Sequence, residues 1–500
     1  MPGNRPPKKT ALDKDLDKMT FVEHASAHVW RRFLTTGLGT VFVGLSMIYA
    51  GSFVLGQKSP LVLIIAAALA AYMAMNIGAN DVTNNTGAAV GARALSMRQA
   101  LVMAAIFEIL GAVIGGRDVT ETISTGIVPT ASFTDPQQLI AVMMAALIAA
   151  AIWINLATWL NAPVSTTHSI IGAIIGAAVV SAGMDTVHWG MIGQIVVSWI
   201  ASPVIGGVIA ALMLFFIEEK VLQKTDKLAA ARLWVPVLIA LMAGAFSAYI
   251  ALQFAVRGRI DDGLILPVGL TFAIGSWAIA VPSVRRASIG LENRNASLRI
   301  LFRLPLVASS AILCFAHGAN DVSNAIGPLA AIVQATGGGA GTDEAIPFWA
   351  LMIGALGIST GLLLFGPRLI LLVGEQITKL NPVRSYCVSL SAALTVLSAS
   401  WAGLPVSSTH IAVGSVFGVG FFREWYVNHW RPKPVKPPKP GKEVSLDESG
   451  QEQENADEIR RRLLVRRSHF MTIIGAWVIT LPASACVSAA LYALFRLMFL

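Results

Sequence analysis

The sequence predicts an all-α membrane protein: a polytopic helical bundle of the secondary-transporter kind with two inverted-topology repeats. Each repeat is expected to carry a broken helix with a Gly-Ala-Asn-Asp motif and a re-entrant helical hairpin. Three observations predict this. Of 500 residues, 55% are hydrophobic and 13% charged, about half the charge of a soluble domain. Apolar runs recur, each near the roughly 20 residues that cross a hydrocarbon core. Two rare polar motifs occur twice, in the same order and at nearly the same spacing.

The runs fall at 33–56, 61–85, 98–117, 137–161, 165–183, 189–217, 233–256, 263–281, 304–326, 347–373, 384–402, 405–422 and 468–498. The 32 residues before them are polar and mixed in charge, unlike a signal peptide, so the first run reads as a retained helix. With the N-terminus in the cytoplasm and 137–183 and 384–422 as hairpins, five of the 37 Lys and Arg lie outside: Lys58, Arg117, Arg257, Arg259 and Arg496. The rest are cytoplasmic, as the positive-inside rule requires. This puts the C-terminus in the periplasm and explains the net charge of +9 without nucleic acid. The predicted organisation is a tail (1–32), an extra helix (33–56), a first repeat (57–217), connecting helices and basic loops (218–303) and a second repeat (304–500). The Pro- and charge-rich stretch 423–467 reads as a disordered cytoplasmic insertion. Cys314, Cys387 and Cys486 lie in apolar runs without metal spacing, and their odd number argues against a disulfide framework.

The repeat is written in its polar residues. "IGANDVTNNTG" at 77–87 returns as "HGANDVSNAIG" at 317–327, and "NAPVSTTHSIIGAIIGA" at 161–177 returns as "GLPVSSTHIAVGSVFGV" at 403–419. A weaker echo pairs "SWIASPVIGG" at 198–207 with "AWVITLPASA" at 476–485. In the charge-derived topology the copies start on opposite sides, the arrangement of transporters that bind substrate near the midplane between repeats.

In the second motif, proline breaks one helix and suits the first turn of the next. Ser165, Thr166 and Thr167 then bring hydroxyls to a helix N-terminus, as do Ser407, Ser408 and Thr409. Such ends bind anions without a basic side chain, and two of them would form a cup for a small oxyanion. Ordinary helix capping is the plainer alternative. His168 and His410 close the motifs as gating or structural residues. No G-x-S-x-G elbow accompanies them, so a hydrolase is disfavoured.

Three acids fall inside apolar runs: Asp81, Glu108 and Asp321. An ionised carboxylate there needs a compensating charge, and the basic residues that touch the runs sit at their ends, leaving none inside the membrane to pair with Asp81 or Asp321. A mobile cation fits, with Asn80, Asn84, Asn320 and Asn324 adding oxygens. That describes a Na⁺ site at Asp81 and Asp321, or a proton site. Glu108 has no counterpart, since Ile358 occupies its repeat position, so it serves either as a further cation ligand or as a helix–helix hydrogen bond. His317 has Ile77 as its counterpart and falls outside the shared constellation.

Two GANDV-x-N motifs, each followed by P-V-S-S/T-T-H, resemble the inorganic phosphate transporter family from about residue 61 to 500. The resemblance implies phosphate uptake by symport with Na⁺ or H⁺ in a bacterial inner membrane, by a homodimer without a cofactor or enzymatic activity. It implies phosphate contacts at the six hydroxyl positions of the hairpin tips and cation contacts at Asn80, Asp81, Asn320 and Asp321. Phe107-Glu108 matches the Phe-Glu of eukaryotic sodium-coupled members, whereas Ser389 stands where they carry a second glutamate. A sulfate permease of the same fold and, in another class, an anion channel are the competing readings.

Overall fold

The computed structural model describes residues 11–133, 135–160, 164–337, 346–374, 381–429 and 467–499. Most of the expected insertion, and Asn161 and Pro163 of the first hairpin motif, lie outside the described residues. No strand occurs among those described. The helices are α1 (Ala11–Val54), α2 (Pro60–Gly91), α3 (Met97–Gly115), α4 (Arg117–Glu121), α5 (Pro136–Trp159), α6 (Thr166–Ala182), α7 (Trp189–Ile217), α8 (Lys227–Val256), α9 (Ile265–Ala287), α10 (Asn295–Leu301), α11 (Arg303–Asp321), α12 (Ser323–Ala335), α13 (Phe348–Gly374), α14 (Pro382–Trp401), α15 (Ser408–His429) and α16 (Arg467–Phe499).

Among the described residues nine helices are long and apolar enough to cross a membrane, or ten if Asn295–Leu301 and Arg303–Ala335, which meet at 46°, form one bent span. α6 has 17 residues, short of a full crossing and suited to a hairpin arm. The outer surface is itself apolar: Leu266, Ile274 and Ile279 on α9 are 69%, 65% and 71% exposed. Such a surface needs lipid around it.

Helix ends follow local chemistry. Ser96 and Gln99 form a capping box at α3, Asp135 caps α5 ahead of Pro136, and Asn381 caps α14 ahead of Pro382.

The interior is built from close helix crossings that come in matched pairs. A β-carbon added to Gly78 of α2 would lie 1.9 Å from the Ile358 carbonyl oxygen of α13, and one on Gly318 of α11 would lie 2.2 Å from that of Glu108 on α3. Gly361 and Gly111 close the same crossings from the other side, against Met75 and Phe315. The hairpins repeat the device. Gly172 and Gly176 of α6 abut the Leu481 and Ala485 carbonyls of α16, while Gly414 and Gly418 of α15 abut those of Pro203 and Gly207 on α7. Small residues four apart let helix backbones touch where lipid supplies no hydrophobic drive. Each crossing joins an early segment to a late one, so the two halves interlock. α1, the extra helix, packs on α2 and α13, with Phe53 stacked on Trp349 at 6.3 Å.

Three details differ from the sequence reading. The first motif helix is not broken: α2 runs unbroken through Asp81. The second is interrupted at Val322 alone, where the Ser323 hydroxyl takes the Asn320 carbonyl at 2.5 Å and competes with the helical ladder. Pro405 lies ahead of the Ser407 cap rather than in the first helical turn, because α15 starts at Ser408; the corresponding Pro163 lies outside the described residues. After α3 the chain continues into α4 and a wide turn, Thr122–Gly126, instead of a plain loop. Thr122 Oγ1 donates to the Gly403 carbonyl at 2.7 Å, bracing the second hairpin.

Alanine at Gly176 or Gly418 would place a β-carbon 2.1 or 2.0 Å from a backbone oxygen. Each is expected to cost about 1–3 kcal/mol of stability in a thermal melt of detergent-purified protein. Alanine at Gly193, with no atom within 4 Å, should leave the melt unchanged or raised. Equal melting of all three would refute the interlock.

Candidate functional site

The two hairpin tips meet in the interior. Ser165 and Ser407 are the N-caps, accepting from the backbone N–H of His168 at 3.2 Å and of His410 at 3.3 Å. The Thr167 hydroxyl donates to the Val406 carbonyl of the opposite tip at 3.0 Å. Behind the tips, the His168 and His410 rings meet edge to face at 4.6 Å, and His168 lies 3.8 Å from the Trp199 ring. Trp199 Nε1 in turn donates to the Pro405 carbonyl at 2.9 Å. The two histidines and Trp199 therefore join tip to tip at the rear.

Each motif aspartate takes a hydroxyl from the hairpin of its own half. Thr166 Oγ1 donates to Asp81 Oδ2 at 3.1 Å, and Ser408 Oγ donates to Asp321 Oδ2 at 3.0 Å. The motif asparagines reach across to the other half. Asn84 Nδ2 donates to Thr409 Oγ1 at 2.9 Å, and Asn324 Nδ2 donates to Thr167 Oγ1 at 3.3 Å. Thr409 passes its own hydrogen to Asp81 Oδ1 at 3.1 Å. Asp81 thus binds both tips at once.

Asn80 and Asn320 do different work. Asn80 Nδ2 donates to the Val164 carbonyl and Asp81 Oδ1, and its oxygen accepts from Thr158. Asn320 Nδ2 donates to Ser400 Oγ and the Leu404 carbonyl, and its oxygen accepts from Val406 N–H. Both pin the loops that lead into the tips. Thr158 and Ser400, at matched positions, escaped the sequence reading because single hydroxyls in apolar helices carry no spacing signal.

His317 corrects the reading that excluded it. Fully buried, it stands among three acids: Nε2 lies 3.1 Å from Asp321 Oδ2 and 3.7 Å from Asp81 Oδ2, and Nδ1 lies 3.2 Å from Glu108 Oε1. Asn85, also missed, donates to Glu108 Oε1 at 2.9 Å. The signal was available. Glu108 and His317 both have isoleucines as repeat partners, Ile358 and Ile77, and the two depart from symmetry together, each facing the other.

One ligand atom each from Asp81, His317 and Asp321 lies within 4.8 Å of the others. Asp321 Oδ1, Asn324 Oδ1 and Glu108 Oε2 are buried with no hydrogen-bond donor among the described residues. Donorless carboxylate and amide oxygens beside two acids have the chemistry of a hard-cation site. The structure therefore gathers every predicted site residue around one centre, with Ser165, Ser407, Asn80 and Asn320 as its frame.

The sequence profile described as the phosphate transporter family matches residues 77–488. A candidate phosphate permease of Helicobacter pylori strain J99 is 38% identical, covering 94% of this chain and 96% of its own. One from Thermococcus kodakarensis is 38% identical over 84% of this chain and 94% of its own. A solved structure described as the sodium-dependent phosphate transporter aligns with a TM-score of 0.76 at 33% identity, covering 88% of this chain and all of the other. With its duplicated motifs converging on one buried acid–hydroxyl centre, the chain belongs to the phosphate transporter family.

Proposed function

We propose that the protein imports inorganic phosphate across a bacterial inner membrane by symport with a cation, Na⁺ or H⁺. In this reading the N-terminus is cytoplasmic, the C-terminus periplasmic, the repeats are inverted and the working unit is a lipid-embedded homodimer. The observation that carries the proposal is the pair of matched hydroxyl–aspartate bonds, Thr166 to Asp81 and Ser408 to Asp321.

Those bonds suggest how coupling works. A tip hydroxyl that donates to an aspartate cannot donate to an anion. A cation bound at Asp81 or Asp321 neutralises the carboxylate and ligates the hydroxyl oxygen, freeing its hydrogen for phosphate. The free N–H groups at the starts of α6 and α15 add to the cup. Without the cation, phosphate would meet three buried acids offset by one imidazole, a cost no local base relieves. Anion and cation then bind together, which is the requirement for symport. Na⁺ is favoured by the structural relative, a sodium-dependent transporter by name. The proton is the second reading, favoured by His317 within 3.2 Å of both Glu108 and Asp321. The relatives are named for phosphate rather than sulfate, and the mutual dependence of ion and hydroxyl favours a carrier over a channel.

Reconstituted protein should accumulate labelled phosphate when the coupling ion gradient is imposed, and separate Na⁺ and proton gradients identify the ion. Asp81→Asn or Asp321→Asn should lower uptake at limiting cation about tenfold or more, a decade being about 1.4 kcal/mol. Uptake by both variants that keeps its full cation dependence would reject the mechanism.

The His317–Glu108 contact predicts a separate result. Either Glu108→Ile or His317→Ile alone breaks the buried pair and should cost about 3–5 kcal/mol, whereas the double replacement should cost clearly less than the sum of the two, since only the first loss breaks the contact. That double variant reproduces the isoleucines of the opposite repeat, and thermal melts of all four proteins measure the shortfall. Additive losses would show that the two side chains are not coupled.

A further inference from the structure

A second polar concavity lies away from the central site. It is a cavity of about 480 Å³ lined by Gly91, Ala92 and Arg93 after α2, by Arg299, Ile300 and Arg303 around the α10–α11 bend, and by Asn381, Pro382 and Arg384 at the start of α14. Four of its nine lining residues are arginines and none is acidic. The charge count of the sequence assigns this face to the cytoplasm.

Here four arginines from three separate segments line one concavity, Arg93, Arg299 and Arg303 exposed at its mouth and Arg384 half-buried. Arg93 sits in the left-handed region at φ 57°, and its carbonyl accepts from Arg303 Nη2 at 3.1 Å, tying two of the four together. Arg384 is half-buried at the first turn of α14, where Asn381 caps the helix by accepting from its N–H at 3.0 Å. Arg299 and Arg423 both oppose its charge electrostatically; Glu218 is the carboxylate that acts on it, and Glu218 does not line the cavity. Guanidinium groups lining one cavity repel one another unless an anion lies between them, and their planar forks suit the paired oxygens of a phosphoryl group. The volume falls in the roughly 300–1,000 Å³ range of small-molecule sites, too large for one orthophosphate to span.

We propose that this cavity binds a compact anion carrying two or more phosphoryl groups. The same chemistry is offered by a soluble diphosphate compound and by a diphosphate lipid headgroup of the cardiolipin type, which basic pockets between helices on this face can hold. The bound anion bridges the end of α2, which carries Asp81, to the start of α14, which leads to the Ser407–Thr409 tip. It thereby fastens the cytoplasmic ends of both halves of the central site, and any effect of the anion on phosphate binding is reciprocal. The binding site itself does not rest on the symport reading; only its assignment to the cytoplasmic face rests on the charge-derived orientation.

The test uses the full chain, purified in detergent without orthophosphate. In one arm pyrophosphate is titrated by calorimetry; in the other, cardiolipin retention is measured by native mass spectrometry. Arg299→Gln and the double variant Arg299→Gln/Arg384→Gln should weaken binding by about tenfold or more per guanidinium removed. Asp81→Asn, at the central site, should keep the wild-type isotherm. Saturable pyrophosphate binding lost in the arginine variants supports a soluble ligand, and retention of lipid alone, lost in the same variants, supports the headgroup. Arg299 is exposed, so its single variant remains informative if the double variant misfolds. Binding unchanged by Arg299→Gln in both arms, or weakened only by Asp81→Asn, would overturn the proposal.

Discussion

The structure turns on Asp81. It is buried without measurable exposure and receives one hydroxyl from each hairpin, Thr166 on Oδ2 and Thr409 on Oδ1. A carboxylate in an apolar interior is tolerable only when its oxygens are satisfied. Satisfying this one requires both tips at the same point, 85 and 328 residues away in the chain. The glycine crossings serve that end. Gly78 presses α2 onto α13 three residues before Asp81, and Gly318 presses α11 onto α3 three residues before Asp321. Polar requirement and backbone contact thus lie one helical turn apart, so the acids cannot move without the crossings.

The matched contacts also show where the two halves stop being equivalent. Asp81 is closed by two hydroxyls, whereas Asp321 takes one, from Ser408, on Oδ2, the same oxygen that His317 Nε2 approaches. Thr167, the counterpart of Thr409, spends its hydrogen on the Val406 carbonyl. Asp321 Oδ1 is left without a donor. A structure with perfect symmetry would bind its ions identically on both sides. This one offers a satisfied aspartate and an open one, with an imidazole between them.

Much of this could be read in the chain. Composition and run length gave the helical membrane class, because crossing a bilayer is a length and polarity constraint that individual residues cannot hide. The duplicated Asn, Asp, Ser and Thr positions led to the centre, since a buried polar residue in an apolar run is conspicuous. Positions with no such contrast could not be found. Thr158 and Ser400 look like any hydroxyl on a greasy helix, and Trp199 looks like core until its Nε1 reaches Pro405. The continuity of α2 was equally hidden: the motif is nearly the same in both copies, with Thr83 where the second has Ser323, and only in the second does the helix break at Val322, beside the bond from Ser323 to the Asn320 carbonyl. His317 was misplaced for a different reason. Repeat comparison discards whatever lacks a counterpart, and a residue that acts through another asymmetric residue is lost with it.

That asymmetry bears on how an anion can be held with so few fixed positive charges near it. Arginine at the centre would bind phosphate firmly in every state and hinder its release. In the proposed mechanism hydroxyls and helix ends bind it only while their hydrogens are free, and Asp81 and Asp321 hold those of Thr166, Thr409 and Ser408 until a cation claims the carboxylates. Placing the arginines at the 480 Å³ cavity, between the ends of α2 and α14, keeps permanent positive charge out of the transport centre yet connected to it through two helices. On these proposals affinity at the centre is conditional on an ion, while affinity at the rim is not. A carrier needs the first property to couple two gradients; the second suits a site whose occupant need not cross.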